Sequence, residues 1–114
     1  MLARIEQRPS SKAKVNMHVK IHSSSRDVVA ICDFDLLGKR FEEGIRQLEL
    51  RETFFKGTEM PLEETISMIK RQRAEDATFN IVGEESVKAA LKAGLVSEDE
   101  IDKIQGIPFI LILA

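Results

Sequence analysis

Asn16-Met17-His18-Val19-Lys20-Ile21-His22, then Ser23-Ser24-Ser25-Arg26, then Asp27-Val28-Val29-Ala30-Ile31-Cys32-Asp33-Phe34: this stretch sets the fold. Two β-branched, alternating runs flank a serine-rich turn, the pattern of an antiparallel hairpin. Pairing His22 with Val28 across that turn places Lys20 opposite Ala30 and His18 opposite Cys32. Val19, Ile21, Val29 and Ile31 then share one strongly apolar face. A slip of one residue would abolish the His18–Cys32 pair.

The hairpin runs into Leu36 to Gly44, expected as a connecting loop anchored by Leu36, Leu37 and Phe41. Gly38, Lys39, Arg40, Glu42, Glu43 and Gly44 make it the leading candidate for a binding surface, because loops on rigid scaffolds carry much of recognition. Charge clusters of this kind also serve as plain solvated loops. Ile45 to Arg51 alternates as a third strand, and Phe54-Phe55-Lys56-Gly57 brings aromatic bulk to a turn.

Two helices follow. Pro61 opens one that reaches about Gln72, with Leu62, Ile66 and Ile69 at helical spacing. Glu63 and Glu64 at its start and Lys70, Arg71 and Arg73 at its end complement the helix dipole, which accounts for the basic cluster without a nucleic-acid role. Ala77 to Val82 reads as a buried strand. It passes through Gly83 into a second helix from about Glu84 to Ala93, which Gly94 ends. A strand, a glycine and a helix N-terminus can hold a phosphate. Glu84 and Glu85 would repel that anion, which favours capping and dipole compensation instead. Asn80 is the polar residue of the strand, expected to bond backbone groups of a neighbouring loop. Ser97 caps a short acidic turn, Gln105-Gly106 breaks the chain, and Ile107 to Leu113 is apolar on both faces, as a strand well inside a sheet would be. The fold class is therefore α+β: a small mixed sheet with an N-terminal antiparallel hairpin and two main helices.

The 114 residues suffice for a single domain that buries its own core, here residues 16–114, with residues 1–15 expected as a flexible extension. With 43% hydrophobic and 32% charged residues the composition is that of an ordinary globular protein. Net charge is −2, yet residues 1 to 14 carry +3 and leave −5 on the rest. An acidic body argues for a protein or ribonucleoprotein partner over naked RNA. It does not forbid a direct RNA contact or self-association. One cysteine excludes an internal disulfide framework and points to a reducing, cytoplasmic setting. The longest apolar run, Ile107 to Ala114, is far below the roughly 20 residues a membrane helix needs, so no membrane association is expected.

The alternative to a binding module is an enzyme with Cys32 as nucleophile, His18 as base and Asp33 as orienting acid. The opposing reading makes Cys32 a small packing residue. A metal site from His18, His22 and Asp33 is disfavoured, since the histidines lie about 13 Å apart along a strand. Neither a metal nor a cofactor is expected.

Several short runs, in this order and spacing, resemble a small archaeal family, domain of unknown function 424. They are Met17-His18-Val19-Lys20-Ile21-His22, Ala30-Ile31-Cys32-Asp33, Leu37-Gly38-Lys39 with Phe41-Glu42-Glu43-Gly44, Asn80-Ile81-Val82-Gly83-Glu84, and Gly106-Ile107-Pro108. The resemblance spans residues 17 to 112. It implies a compact α+β domain in archaeal cytoplasm and, through genes that often neighbour the family's, an association with translation. It supplies no established activity and no catalytic residue. The function expected is a non-catalytic binding module using the Gly38 to Gly44 loop with Asn80, Gly83 and Glu84.

Overall fold

The computed structural model describes residues 16–113, so the expected extension over residues 1–15 lies outside it. Strands β1 (Met17–His22) and β2 (Val28–Asp33) form the expected hairpin, with His18 opposite Cys32, Lys20 opposite Ala30 and His22 opposite Val28. They lie in a six-stranded mixed sheet ordered β5-β1-β2-β6-β8-β7. Its other members are β5 (Thr58–Met60), β6 (Thr78–Val82), β7 (Asp102–Ile104) and β8 (Ile107–Ile112). Among the described residues only β2 and β6 run parallel. Such a pair needs a long crossover, and the chain between them supplies it.

Three elements differ from the sequence expectation. Arg40–Glu43 is not a loop but strand β3, which pairs with β4 (Arg46–Glu49) in a separate two-stranded ribbon. The cause is the two-residue Gly44-Ile45 turn: Gly44 takes a φ of 64°, and glycine at the first turn position gives the twist a tight hairpin requires. The expected third strand therefore joins the ribbon and not the main sheet. Phe54 and Phe55 belong to a single helical turn, α1 (Glu52–Phe55), with Phe55 buried and Phe54 partly so. The short strands β5 and β7 carry too few residues for a periodic signal.

Helix α2 (Leu62–Ala74) and helix α3 (Glu84–Lys92) cover one face of the sheet. There Met17, Val19, Val29, Ile31, Phe79 and Ile81 pack against Met68, Ile69, Val87 and Ala90. On the opposite face Ala30, Cys32 and Val82 meet Leu50 and Phe55, with Leu36, Phe41 and Leu48 closing over them. The ribbon and α1 thus do for this face what the helices do for the other. Truncating a fully buried aromatic such as Phe79 to alanine would cost about 3–5 kcal/mol in a layer so packed.

Candidate functional site

The parallel pair brings the C-terminal ends of β2 and β6 side by side, where Asp33 and Gly83 stand next to the N-terminus of α3. Crevices at the carboxyl ends of parallel strands are common ligand positions. Here a cleft of about 350 Å³ is lined by Asp33, Asp35, Leu36, Gly83, Glu84, Glu85, Ile107 and Pro108.

At its floor Asp33 reaches across to the next helix. Its Oδ2 accepts from the Glu85 amide at 3.1 Å, and its Oδ1 accepts from the Ser86 amide and the Ser86 hydroxyl, both at 2.8 Å. Asp33 is the remote N-cap of α3, supplying a negative charge where the first amides of a helix lack partners. The geometry that could have bound a phosphate is already occupied by the protein's own carboxylate. Gly83 makes this approach feasible. Its φ of 112° favours glycine, and a Cβ placed there would stand 2.4 Å from Asp33 Cγ. The Gly83 amide in turn donates to the Pro108 carbonyl at 2.8 Å, tying β8 to the same corner.

Burial pushes the Asp33 carboxyl above its usual range; the Ser86 hydroxyl and the two helix amides pull it down, and nearby Asp35 adds to the rise. The neighbouring Cys32 thiol is pushed up to about 12, chiefly by burial and then by Asp33 and Asp35. A thiol with no solvent exposure and that affinity for its proton does not furnish a nucleophile near neutral pH.

His18 is directly across from Cys32, yet its ring stacks on Phe34 with centroids 5.5 Å apart, and its Nδ1 lies 3.4 Å from the Gly57 carbonyl. His22 places Nε2 2.9 Å from the Phe54 carbonyl and stacks on the Phe54 ring, while Lys20 donates to the Thr53 carbonyl at 3.1 Å. Three alternate residues of β1 thus satisfy carbonyls of α1 and the turn after it, groups that a helix end leaves without partners. Pairing His18 with Cys32 was the correct register, but catalytic geometry does not follow from it.

The residues expected to bind fall in three places. Gly83 and Glu84 line the cleft. Asn80 sits on the wall of a separate groove of about 280 Å³ beside Leu48, Phe54, Phe109 and Leu111, away from the cleft. Gly38 to Gly44 make the ribbon's first half. There Arg40 bonds Gln47 and pairs with Glu42, while Glu43 accepts from the Gln105 amide at 2.6 Å and the Glu42 carbonyl accepts from the Gln105 side chain at 2.6 Å. With the Arg46–Asp102 ion pair at 2.8 Å, much of this polarity pins the ribbon to β7 and its turn. Glu85 is evident as an acid at the start of α3, and Ile107 and Pro108 as part of the family resemblance, but no spacing joins them to Asp35 in one cleft. Asp33 stands out in the sequence as an acid beside the lone cysteine, but its partner Ser86 lies far along the chain and only the fold joins them.

A model of a protein family of unknown function, DUF424, matches residues 21–114. The chain belongs to the DUF424 family. The crystal structure of an uncharacterized conserved protein from Methanopyrus kandleri superposes on this DUF424 chain with a TM-score of 0.78 at 29% identity, covering 85% of this chain and 90% of that one. No curated protein matches it. The family assignment and the fold therefore agree, and neither brings an activity with it.

Proposed function

We propose that the protein is a non-catalytic binding module, serving translation or ribonucleoprotein assembly, whose cleft receives a basic side chain of a protein partner. The observation that carries this proposal is the cleft's own chemistry. Asp35, Glu84 and Glu85 contribute carboxylates above the capping Asp33, and no lysine or arginine is among the described residues that line it. Asp35 and Glu84 are exposed at the rim. Leu36, Ile107 and Pro108 provide apolar walls suited to the aliphatic stem of lysine or arginine. Such side chains bury their stems while their charged heads meet carboxylates. The net −5 of residues 15–114 favours a basic protein partner for the same reason. The link to translation rests on the family resemblance alone.

The groups that the competing enzymatic reading needs are committed elsewhere. Cys32 is buried, His18 packs on Phe34, and Asp33 caps α3. The test is affinity capture from an archaeal lysate by the full chain, with and without nuclease, beside the rim variant Asp35→Lys/Glu84→Lys. Capture of a basic translation protein that survives nuclease and is lost in the variant supports the proposal. Recovery of no translation component, or capture unaffected by reversing both rim charges, refutes it.

A further inference from the structure

Residues 1 to 14 carry +3, from Arg4, Arg8, Lys12 and Lys14 against Glu6, while the rest of the chain carries −5. The fold decides where that positive charge is delivered. Because β1 runs antiparallel to β2, the chain enters β1 at the end of the sheet where β2 leaves it. Met17 is the register partner of Asp33, and the Asn16 carbonyl accepts from the Phe34 amide at 3.0 Å. Asp33 forms the floor of the acidic cleft and Asp35 its rim. The basic segment therefore joins the folded body one strand from the cleft, with paired Cα atoms about 5 Å apart.

Chain length sets the reach. Lys14 precedes Met17 by three residues and Lys12 by five. Their backbones cannot lie farther from it than roughly 11 Å and 18 Å. The cleft also has charge to offer. Of the ion pairs among the described residues, one holds Glu85, with Lys88 at 3.5 Å, and none holds Asp35 or Glu84. Both of those side chains are exposed at the rim, beside the apolar walls of Leu36, Ile107 and Pro108 that suit a lysine stem.

We infer that the chain's own residues 1–15, through Lys12 and Lys14, occupy this cleft when no partner is bound, so that a basic partner has to displace them. The inference rests on the reading of the cleft as a seat for basic side chains and adds the regulation of that seat. What selects this occupant over any other cation is the tether. A ligand attached so near its site acts at an effective concentration on the order of millimolar, and it is present before any partner arrives. Exposed ion pairs are individually weak, too weak to hold a dilute peptide, but at such a concentration they fill the site. A partner then binds with an apparent affinity reduced to the fraction of cleft left open.

Tetralysine peptide titrated into the full chain tests the inference, with the amide NMR signals of Asp35, Glu84 and Glu85 as the readout. Lys12→Gln/Lys14→Gln should bind the peptide at least about tenfold more tightly than wild type, as a site nine-tenths occupied in cis requires. The control Lys70→Gln/Arg71→Gln makes the same change of net charge on α2 and should stay near wild type. Before any peptide is added, Lys12→Gln/Lys14→Gln should already move the three cleft signals, equally at low and high protein concentration. Equal affinities, a gain matched by the control, or a movement that depends on protein concentration would overturn the cis contact and leave the reading of the cleft standing. Peptide that moves none of the three signals in either protein would overturn both.

Discussion

Gly83→Ala is the sharpest probe of the corner that builds the cleft. Gly83 holds φ 112° and ψ 159°, a region that is essentially glycine's alone, and an alanine forced there costs about 1–3 kcal/mol. The new Cβ would also stand 2.4 Å from Asp33 Cγ and 2.6 Å from both carboxylate oxygens. Backbone on one side and a buried carboxylate on the other leave little room to yield. If Asp33 withdraws, the buried Ser86 hydroxyl and the Glu85 and Ser86 amides lose their acceptor, at about 1–3 kcal/mol for each group left unsatisfied. The substitution should therefore cost about 3 kcal/mol or more in urea unfolding. A double-mutant cycle separates the causes. Removing the carboxylate with Asp33→Ala also removes the clash, so Gly83→Ala should be milder in that background, with a coupling of at least about 1 kcal/mol. A single-variant loss within about 0.5 kcal/mol of zero, the range of ordinary surface substitutions, or additive effects in the cycle, would refute the proposed role of Gly83.

Other consequences follow from the same contacts. Because burial raises the Asp33 carboxyl, the unfolded chain loses this proton first as the pH climbs; the group's contribution to stability is full below the unfolded value of about 3.9 and fades as pH rises through the higher folded value. Urea titrations should show the advantage of wild type over Asp33→Asn shrinking across that window, and a constant difference would contradict it. Ser86→Ala removes a 2.8 Å donor and should cost about 1 kcal/mol while moving the Asp33 titration, followed by carboxyl NMR, further upward. The Cys32 thiol should react with a maleimide or disulfide reagent at pH 8 on the order of 10³-fold more slowly in the native protein than in urea. Native labelling at the unfolded rate would restore the case for a reactive cysteine. Phe55→Ala should cost about 3–5 kcal/mol, since its ring fills the layer beneath α1 against Cys32 and Val82, and a melting temperature close to wild type would show that layer to be loosely packed.

The sequence by itself determined the elements whose signals are local. The period-two alternation on either side of Ser23 to Arg26 marked the β1–β2 hairpin and its apolar face, and the register that follows from pairing His22 with Val28 is the one the fold adopts. Helical spacing and end charges located α2 and α3, and Ser97 opens the short acidic turn it was expected to cap, its amide donating to Glu100. The ribbon was less legible. Arg40 to Glu43 is polar and short, so nothing in its pattern distinguishes a strand from a charged loop until Arg46 to Glu49 folds back on it.

What only the tertiary structure decided are the meetings between residues far apart in the chain. Asp33 and Ser86 are 53 residues apart, and their bond turns an apparent catalytic acid into a helix cap. Cys32 and His18 face each other as the register requires, yet the thiol is buried and the His18 ring stacks on Phe34, which no spacing encodes. Ile107 to Leu113 announced an inner strand through its apolarity, but whether each backbone group finds a partner depends on where β7 ends. That boundary, set by three residues pairing across a tight turn, leaves Leu111 without a strand on the β7 side among the described residues.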